Sequence, residues 1–277
     1  MIQLDANIVP EKDVLDKLKE YQTEIDSLDT FVKRSEKAKN TFSMRNKIGN
    51  RVFDAIKVKL DAMCSGARRC VYCEDSVGDE VEHIHPKDLY PNLCFQWENY
   101  VYACGPCNGP KNNKFAVFRS DNNEFQIVNS PKGIPSSEPP AGEAAMINPR
   151  TENPLNYCIL DFTSTFKFVP LYPKNTKEGK KADYTFNEVL RLNEREVLRK
   201  ARQTAYINYK SRLGYYTSQK NAGVIQSKLD VLVENLKKEA HPTVWHEMKR
   251  QHTMGILAGI DNDLNNLFID SPEALTW

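Results

Sequence analysis

The sequence predicts a mainly α-helical protein that contains a small α+β insert. Three observations predict this class. Apolar residues recur at helical spacing in both outer parts of the chain, two Cys-x-x-Cys pairs bracket a short segment between them, and 277 residues suffice to bury a sizeable core. We expect a helical region at 1–67, a compact finger at 68–118, a loop and short β-hairpin region at 119–181, and a second helical region at 182–277.

The first region is predicted to consist of amphipathic helices over residues 11–64. In its first run, apolar side chains recur at steps of three or four residues from Val14 to Val32. A second run extends in the same way from Met44 to Leu60. Gly66 then supplies a helix stop.

Two different patterns follow the finger. Residues 120–157 are rich in Pro, Ser, Asn and Gly, which predicts a long loop. The stretch YCILDFTSTFKFVPL at 157–171 predicts two short strands that turn at Ser164 and Thr165. The helical pattern returns over 184–218, 222–239, 242–257 and 262–269.

Composition limits which partners and which cellular compartment are expected. The 38 basic and 37 acidic residues nearly cancel, so any attraction to nucleic acid or membrane must be local. No apolar run reaches the ~18–20 residues of a membrane span, and the N-terminus lacks the apolar core of a signal peptide. We therefore expect a soluble, cytoplasmic protein with no membrane partner and with reduced cysteines.

The paired cysteines predict a metal site. Cys70 and Cys73 form one pair, Cys104 and Cys107 the other, and each pair can present two thiolates from a turn. Four thiolates bind zinc in a closed tetrahedron, which makes its role structural. A redox motif or buried free thiols are the alternatives, and two pairs around one segment favour zinc. The other cysteines are expected to be small buried side chains: Cys64, Cys94 and Cys158.

An acid, a histidine and two asparagines lie within this frame. Glu82 directly precedes His83, Asn99 follows 16 residues after His83, and Asn108 comes directly after Cys107. This order resembles the HNH nucleases, in which an acid–His pair ends one strand and a final His or Asn lies on the following helix. The resemblance implies a ββα-metal finger, here braced by zinc and embedded between helical regions.

The residue types suit the hydrolysis of a phosphodiester. A neutral His83 can deprotonate water. Glu82 and Asn108 offer oxygen ligands to catalytic Mg²⁺ or Mn²⁺, which would neutralise charge on the scissile phosphate. Asn99 is expected to brace the loop that carries His83. Because neighbouring strand residues point to opposite faces, Glu82 and His83 can share one site only where the strand ends or bulges.

Each of these assignments has an alternative. A lone buried histidine is usually structural, but His83 is accompanied by an acid, two asparagines and four cysteines in the right order. Asn108 can instead cap a helix. His85, Lys87 and Lys111 are candidate contacts to substrate phosphate, or solvated surface residues. Four aromatic residues are expected to form the small core of the finger rather than to stack on bases: Tyr90, Phe95, Trp97 and Tyr100. Three histidines are expected to serve in packing or at the surface rather than in a second metal site: His241, His246 and His252.

Longer stretches carry a closer resemblance. EHIHPK at 82–87 and FQWENYVYACGPCNGPKNNKF at 95–115 resemble the HNH subunit of Septu-type and retron-linked anti-phage systems, the PtuB-like family. INPRTENPL at 147–155, with Asn148 and Pro149 where relatives often have Asp-Pro, and LRLNEREVL at 190–198 add weaker likeness. The resemblance implies a metal-dependent nuclease that acts in defence beside an AAA/ABC-type ATPase subunit. Glu82 departs from the Asp or His common in the superfamily, and His85 stands where relatives often have Arg.

A basic stretch lies outside the finger, which is not itself basic. Residues 174–220 contain 12 Lys and Arg against 5 Asp and Glu, and four arginines recur there at helical spacing. Such a face can follow a phosphate backbone, meet an acidic partner or face solvent. The four are Arg191, Arg195, Arg199 and Arg202.

The expected function is metal-dependent endonucleolytic cleavage of nucleic acid, with DNA favoured over RNA. Two alternatives stand beside it: a zinc-dependent binding module that does not cleave, and an RNase acting on a cellular RNA such as tRNA. The sequence contains no G-x-x-x-x-G-K-[ST] loop. We therefore expect nucleotide-linked control to come from the partner ATPase, and the isolated chain to be weakly active or silent.

Overall fold

The computed structural model describes residues 1–128, 135 and 137–277. This part of the chain is mostly helical, as the sequence predicts, and it contains three small antiparallel sheets. Its α-helices are α1 (Lys12–Asp26), α2 (Phe31–Arg45), α3 (Arg51–Met63), α4 (Gly105–Lys111), α5 (Lys177–Asp183), α6 (Glu196–Asn221), α7 (Gln226–Lys237), α8 (Pro242–Thr253), α9 (Leu257–Ile260) and α10 (Asn262–Asp270). None of them is long and apolar enough to cross a membrane.

The strands of the described residues form a hairpin, a three-stranded sheet and a second hairpin. The first hairpin pairs β1 with β2, the sheet has the order β4-β3-β5, and the last hairpin pairs β6 with β7. The strands are β1 (Glu80–His83), β2 (Tyr100–Ala103), β3 (Ala116–Arg119), β4 (Phe125–Ile127), β5 (Gly142–Ala144), β6 (Cys158–Leu160) and β7 (Phe168–Pro170).

The N-terminal region contains three helices where the apolar pattern predicted two runs. The first run is broken at residues 27–30, and Thr30 caps α2 by accepting a hydrogen bond from the Lys33 amide. The second run is broken as well, because Asn50 caps a new helix through the amides of Val52 and Phe53. Ile48 therefore lies in a loop and is 98% exposed, although the periodicity predicted a buried side chain.

Aromatic rings join these helices to the finger. Phe42 of α2 and Phe53 of α3 make an edge contact with ring centroids 5.5 Å apart. Both rings lie within 6.3 Å of the ring of Tyr100 on β2, and both also contact Phe95. The first hairpin is thus supported from the N-terminal side by a buried aromatic cluster, which fixes its position in the main core.

Of the two regions that follow the finger, the first differs from its predicted structure and the second agrees with it. The predicted loop at 120–157 contains β4 and β5, which pair with opposite edges of β3. The rest of that prediction lies partly outside the described residues. The hairpin predicted at 157–171 is confirmed, with Ile159 opposite Val169.

The helix predicted over 184–218 is interrupted. A π-helical turn covers Tyr184–Val189, Arg191 adopts a left-handed backbone with φ of 51°, and α6 begins only at Glu196. The local apolar spacing is compatible with one helix, but the buried Arg202 guanidinium donates to the Leu192 carbonyl, which holds the chain in a different path.

Candidate metal-binding and active site

The four paired cysteines come together as the sequence predicted. All four are buried, and their sulfur atoms lie within 4.8 Å of one another. Cys104 occupies the N-cap of α4 and Cys107 its first turn, while the other pair lies in the turn before β1. A tetrahedral zinc ion with bonds of about 2.3 Å separates its sulfurs by about 3.8 Å. The Cys73 and Cys104 sulfurs are 3.7 Å apart, so the cluster can bind a structural zinc.

An arginine from the C-terminal region contacts this cluster. The Arg195 guanidinium donates to the Cys107 sulfur at 3.1 Å and to the Pro106 carbonyl at 3.4 Å. A positive group on a thiolate offsets part of the negative charge that four cysteines bring to one zinc ion. Arg195 therefore belongs to the surroundings of the metal site, whereas its spacing had placed it on an arginine-rich helix face.

The predicted arginine face is not present. Arg191 pairs with Glu194 at 2.5 Å, and Arg195 faces the cysteines. Arg202 is buried, donates to the Phe166 and Leu192 carbonyls, and lies over the Phe168 ring. Since α6 begins after Arg195, these side chains do not share one helical surface.

His83 lies at the last residue of β1, as its expected position required. Its ring is buried between Phe42 and Tyr100, with centroids 4.4 and 5.1 Å away. Nε2 is 2.9 Å from the Cys94 carbonyl oxygen. Because a carbonyl can only accept, Nε2 carries the proton and Nδ1 carries the lone pair. Burial, and to a smaller extent the charge of Lys87, lower the pKa of His83 to about 3.

Glu82 is held by a buried lysine. The Lys111 ammonium lies 2.5 Å from a Glu82 carboxylate oxygen and also donates to the His83 carbonyl at 2.7 Å. Lys111 is fully buried, so it braces β1 against α4. The alternative of a solvated surface lysine therefore does not hold, while its expected contact to substrate phosphate stays a prediction. Burial raises the pKa of Glu82, and the charge of Lys111 opposes that rise.

Asn108 contacts an acid that sequence analysis did not select. Its amide Nδ2 donates to the Glu80 carboxylate at 2.6 Å. Asn108 is in the interior of α4, whose N-cap is Cys104, so the alternative in which Asn108 caps a helix does not hold. Glu80 and Glu82 are two residues apart on β1 and thus project from the same face of the strand. That alternation was the signal that could have identified Glu80.

Asn99 makes the bracing hydrogen bonds expected of it. Its side chain accepts from the His85 amide at 2.7 Å and donates to the His85 and Leu93 carbonyls, each at 3.0 Å. The His85 ring packs against Tyr90 and Phe115, and burial lowers its pKa to about 4. The loop after His83 is therefore fixed to the segment before β2 by a single asparagine.

A polar cavity of about 590 Å³ joins these groups. It brings together Glu82, His83, Lys87 and Asn108 of the predicted set, and it adds Glu80. Asn99, His85 and Lys111 do not line it. Its remaining lining residues come from the N-terminal helices and from both sides of the finger: Phe42, Asn46, Lys57, Asp79, Val81, Pro86, Gly105, Gly109, Asn112 and Asn113.

The C-terminal histidines do not form a second metal cluster. His252 contacts Asn265 at 2.8 Å, and His241 lies 3.4 Å from Asp75. Within residues 1–128, 135 and 137–277, the cysteines are the one group of three or more Cys, His, Asp or Glu side chains close enough to hold a metal together.

Comparison with known proteins yields one local similarity to report. The chain is 35% identical over 94 residues to Septu protein PtuB of Bacillus thuringiensis. The match covers 32% of this chain and 34% of that protein, so it spans about a third of the length of each. No family model matches the chain, and no solved structure matches it. The similarity supports a PtuB-like relationship.

Proposed function

We propose that this chain is a metal-dependent HNH endonuclease that hydrolyses phosphodiester bonds at the His83 cavity. The observation that carries the proposal is the state of His83. Its Nε2 proton is committed to the Cys94 carbonyl, and its ring is buried between two aromatic side chains at the edge of a polar cavity. Such a histidine is oriented and neutral, with Nδ1 available to accept a proton.

The surrounding oxygens support a hard cation. Asn108 donates its amide N–H to Glu80, which leaves Oδ1 free to act as a ligand beside the carboxylates of Glu80 and Glu82. Carboxylate and amide oxygens with room for water are the donor set that Mg²⁺ and Mn²⁺ prefer. When bound, the cation would supply charge neutralisation at the scissile phosphate.

Proton transfer, orientation of the imidazole and phosphate binding are then carried out by different groups of the chain. His83 Nδ1 takes a proton from a water molecule, whose oxygen attacks the phosphorus as the P–O bond to the leaving oxygen breaks. The Cys94 carbonyl keeps the imidazole in the required tautomer throughout. Lys87, on the cavity wall, is suited to hold a non-bridging phosphate oxygen.

One observation favours the rival function, a zinc-dependent module that binds without cleaving. Glu82 is already paired with Lys111, so it can bind a cation only by sharing its carboxylate.

If Glu80 and Asn108 hold the cation instead, cleavage needs no rearrangement of the Glu82–Lys111 pair. Glu80→Gln should then impair Mg²⁺-dependent cleavage more than Glu82→Gln does.

The similarity to Septu protein PtuB supports a role in anti-phage defence. We propose that the chain works in the cytoplasm with an ATPase encoded beside it, and that cleavage is weak without that partner. Co-expression followed by size-exclusion chromatography tests the complex. Strong cleavage by the single chain with no co-eluting ATPase would contradict control by a partner.

Cleavage itself is tested with plasmid DNA and with tRNA, each with and without Mg²⁺, using the chain alone and the co-purified complex. We expect nicking or cutting of one substrate that depends on Mg²⁺. Binding of both substrates without cleavage in any preparation would favour the binding module. Cleavage confined to tRNA would favour the RNase alternative.

A further inference from the structure

The N-terminal helices carry an excess of positive charge beside the cavity. Residues 33–59 contain nine Lys and Arg against two Asp and Glu, counted along the sequence. The finger itself, from 68 to 119, has six basic against seven acidic residues. A polyanionic substrate at the His83 cavity therefore finds little attraction on the finger and a strong one on the neighbouring helices.

Five of these cations make no ion pair within the described part of the chain, and one of them, Arg45, instead lies over the Tyr21 ring, 4.6 Å from its centroid. The other four are Lys39, Lys47, Arg51 and Lys57. We call these four the α2–α3 basic surface. Lys39, Lys47 and Arg51 are exposed, and Lys57 is half-buried. Their neighbours are engaged instead, in the pairs Lys33–Asp29, Arg34–Glu138, Lys37–Glu24 and Lys59–Glu11.

The position of this surface links it to the chemistry. Lys57 of α3 lines the same cavity as His83, and so does Asn46, directly after α2. Lys47 follows Asn46 along the chain, and Arg51 begins α3. The unpaired cations thus extend from the cavity wall along the connection between the two helices.

The basic stretch at 174–220 does not offer a comparable surface. Although its net charge is also +7, most of its cations are neutralised or buried within the fold. Arg195 and Arg202 bond to protein groups, as described above. The ion-paired members are Lys174–Asp183, Lys177–Glu143, Lys181–Glu152, Arg191–Glu194, Lys200–Glu196, Lys210–Asp261, Arg212–Glu239 and Lys220–Glu273.

We propose that the α2–α3 basic surface binds the phosphate backbone of the nucleic acid whose scissile bond enters the cavity. This inference rests on the proposed function and adds the substrate-binding surface to it. Unpaired surface cations gain affinity from a polyanion because binding releases its condensed counterions, while cations already paired in the fold gain less. Such contacts position the strand without reading its sequence.

The test measures binding without cleavage, in full-length zinc-loaded protein carrying His83→Ala. The variant combines Lys47→Gln, Arg51→Gln and Lys57→Gln. Its matched control combines Lys167→Gln, Lys180→Gln and Lys228→Gln, three exposed lysines that make no ion pair in the described residues and do not line the cavity. Both lose three charges. Fluorescence anisotropy with labelled duplex DNA and with single-stranded RNA gives affinity as a function of salt.

We expect the α2–α3 variant to bind the preferred probe about 10- to 100-fold more weakly than the control, with a salt slope smaller by about 2–3. Thermal unfolding checks that both variants remain folded. The inference is overturned if the two variants bind within about twofold of each other at every salt concentration, or if the parent protein binds neither probe.

Cleavage by protein with His83 intact separates this inference from the proposed function. Mg²⁺-dependent cleavage together with equal binding by the two variants would overturn the surface alone. Binding that depends on the α2–α3 basic surface, in a protein that never cleaves, would overturn the nuclease alone.

Discussion

The cysteine cluster and the His83 cavity lie on the same finger but are built in opposite ways. The cluster joins four identical buried side chains whose sulfurs lie within 4.8 Å of one another. The cavity is lined by mixed oxygen donors and one histidine, and two of its acids already have partners: Lys111 for Glu82 and Asn108 for Glu80. The first arrangement suits a metal that completes the fold, the second a metal that exchanges ligands during a reaction.

The two sites also differ in how much they depend on contacts from other parts of the chain. The cluster is formed by two turns and is contacted by Arg195. The cavity depends on distant support, because His83 is oriented by the Cys94 carbonyl and packed by Phe42 of α2. Damage to the cluster should therefore affect folding first, and damage to the cavity should affect chemistry first.

The largest effect is expected from breaking the cluster. Cys104→Ser removes one of four thiolates from a site type whose zinc contributes about 10–16 kcal/mol in small zinc-dependent domains. We expect loss of bound zinc and a lower melting temperature, measured by elemental analysis and thermal unfolding. Cys158→Ala, a buried cysteine outside the cluster, should keep about one zinc per chain. Full zinc content in Cys104→Ser would show that the cysteines do not form the site.

Removing the base should separate chemistry from folding. His83→Ala is expected to lower the cleavage rate by about 10²–10⁴-fold, the usual contribution of a general base, while zinc content stays unchanged. His252→Ala, whose ring contacts Asn265 away from the cavity, is the matched control. Single-turnover cleavage, by the chain alone and by the proposed complex with an ATPase, measures both. Undiminished cleavage by His83→Ala would place the base elsewhere.

The buried Lys111–Glu82 ion pair belongs to both aspects of the finger. Glu82 lines the cavity, and the pair also stabilises the packing of β1 against α4. Lys111→Met leaves the Glu82 charge buried without a partner, which costs about 3–5 kcal/mol of folding free energy. Adding Glu82→Gln removes that charge and should recover much of the loss. Denaturant unfolding measures both variants. An unchanged midpoint for Lys111→Met would mean that the pair does not stabilise the finger.

The smallest effect is expected at the edge of the cluster. Arg195→Gln removes the donor to the Cys107 sulfur and should speed zinc release to a chelator by about 10- to 100-fold, as for other groups that support metal ligands. The control is Arg212→Gln, which removes an arginine of a surface ion pair with Glu239. Equal release from the two variants would limit Arg195 to packing.

The two sites also differ in how completely their residues and contacts could be predicted from the sequence. Cysteine pairs identify a closed site because only a metal or a disulfide commonly brings so many thiols together, and their spacing is read directly. The cavity cannot be read in this way. Whether Lys111 faces a phosphate or Glu82 depends on how α4 packs against β1, which local spacing does not encode. Glu80 was accessible through strand alternation, yet its partner Asn108 comes from another element.

The helices give the same lesson. Val14, Leu18 and Ile25 were predicted from periodicity and are buried in α1. Ile48 has equally regular spacing but is exposed. Helix α2 ends at Arg45 and Asn50 caps the start of α3, so Ile48 lies in the loop between the two helices. Periodicity reports which residues can share a face, and tertiary packing decides which face is covered.

If the finger holds two metals with separable roles, as we propose, metal exchange distinguishes them most directly. A single preparation of the chain, alone or in the proposed complex, is treated briefly with EDTA, assayed for cleavage and zinc content, and assayed again after Mg²⁺ is restored. We expect that EDTA abolishes cleavage, that about one zinc per chain remains bound in the closed site, and that Mg²⁺ alone restores activity. Cleavage that persists without Mg²⁺, or that returns only when zinc is added, would contradict this proposal.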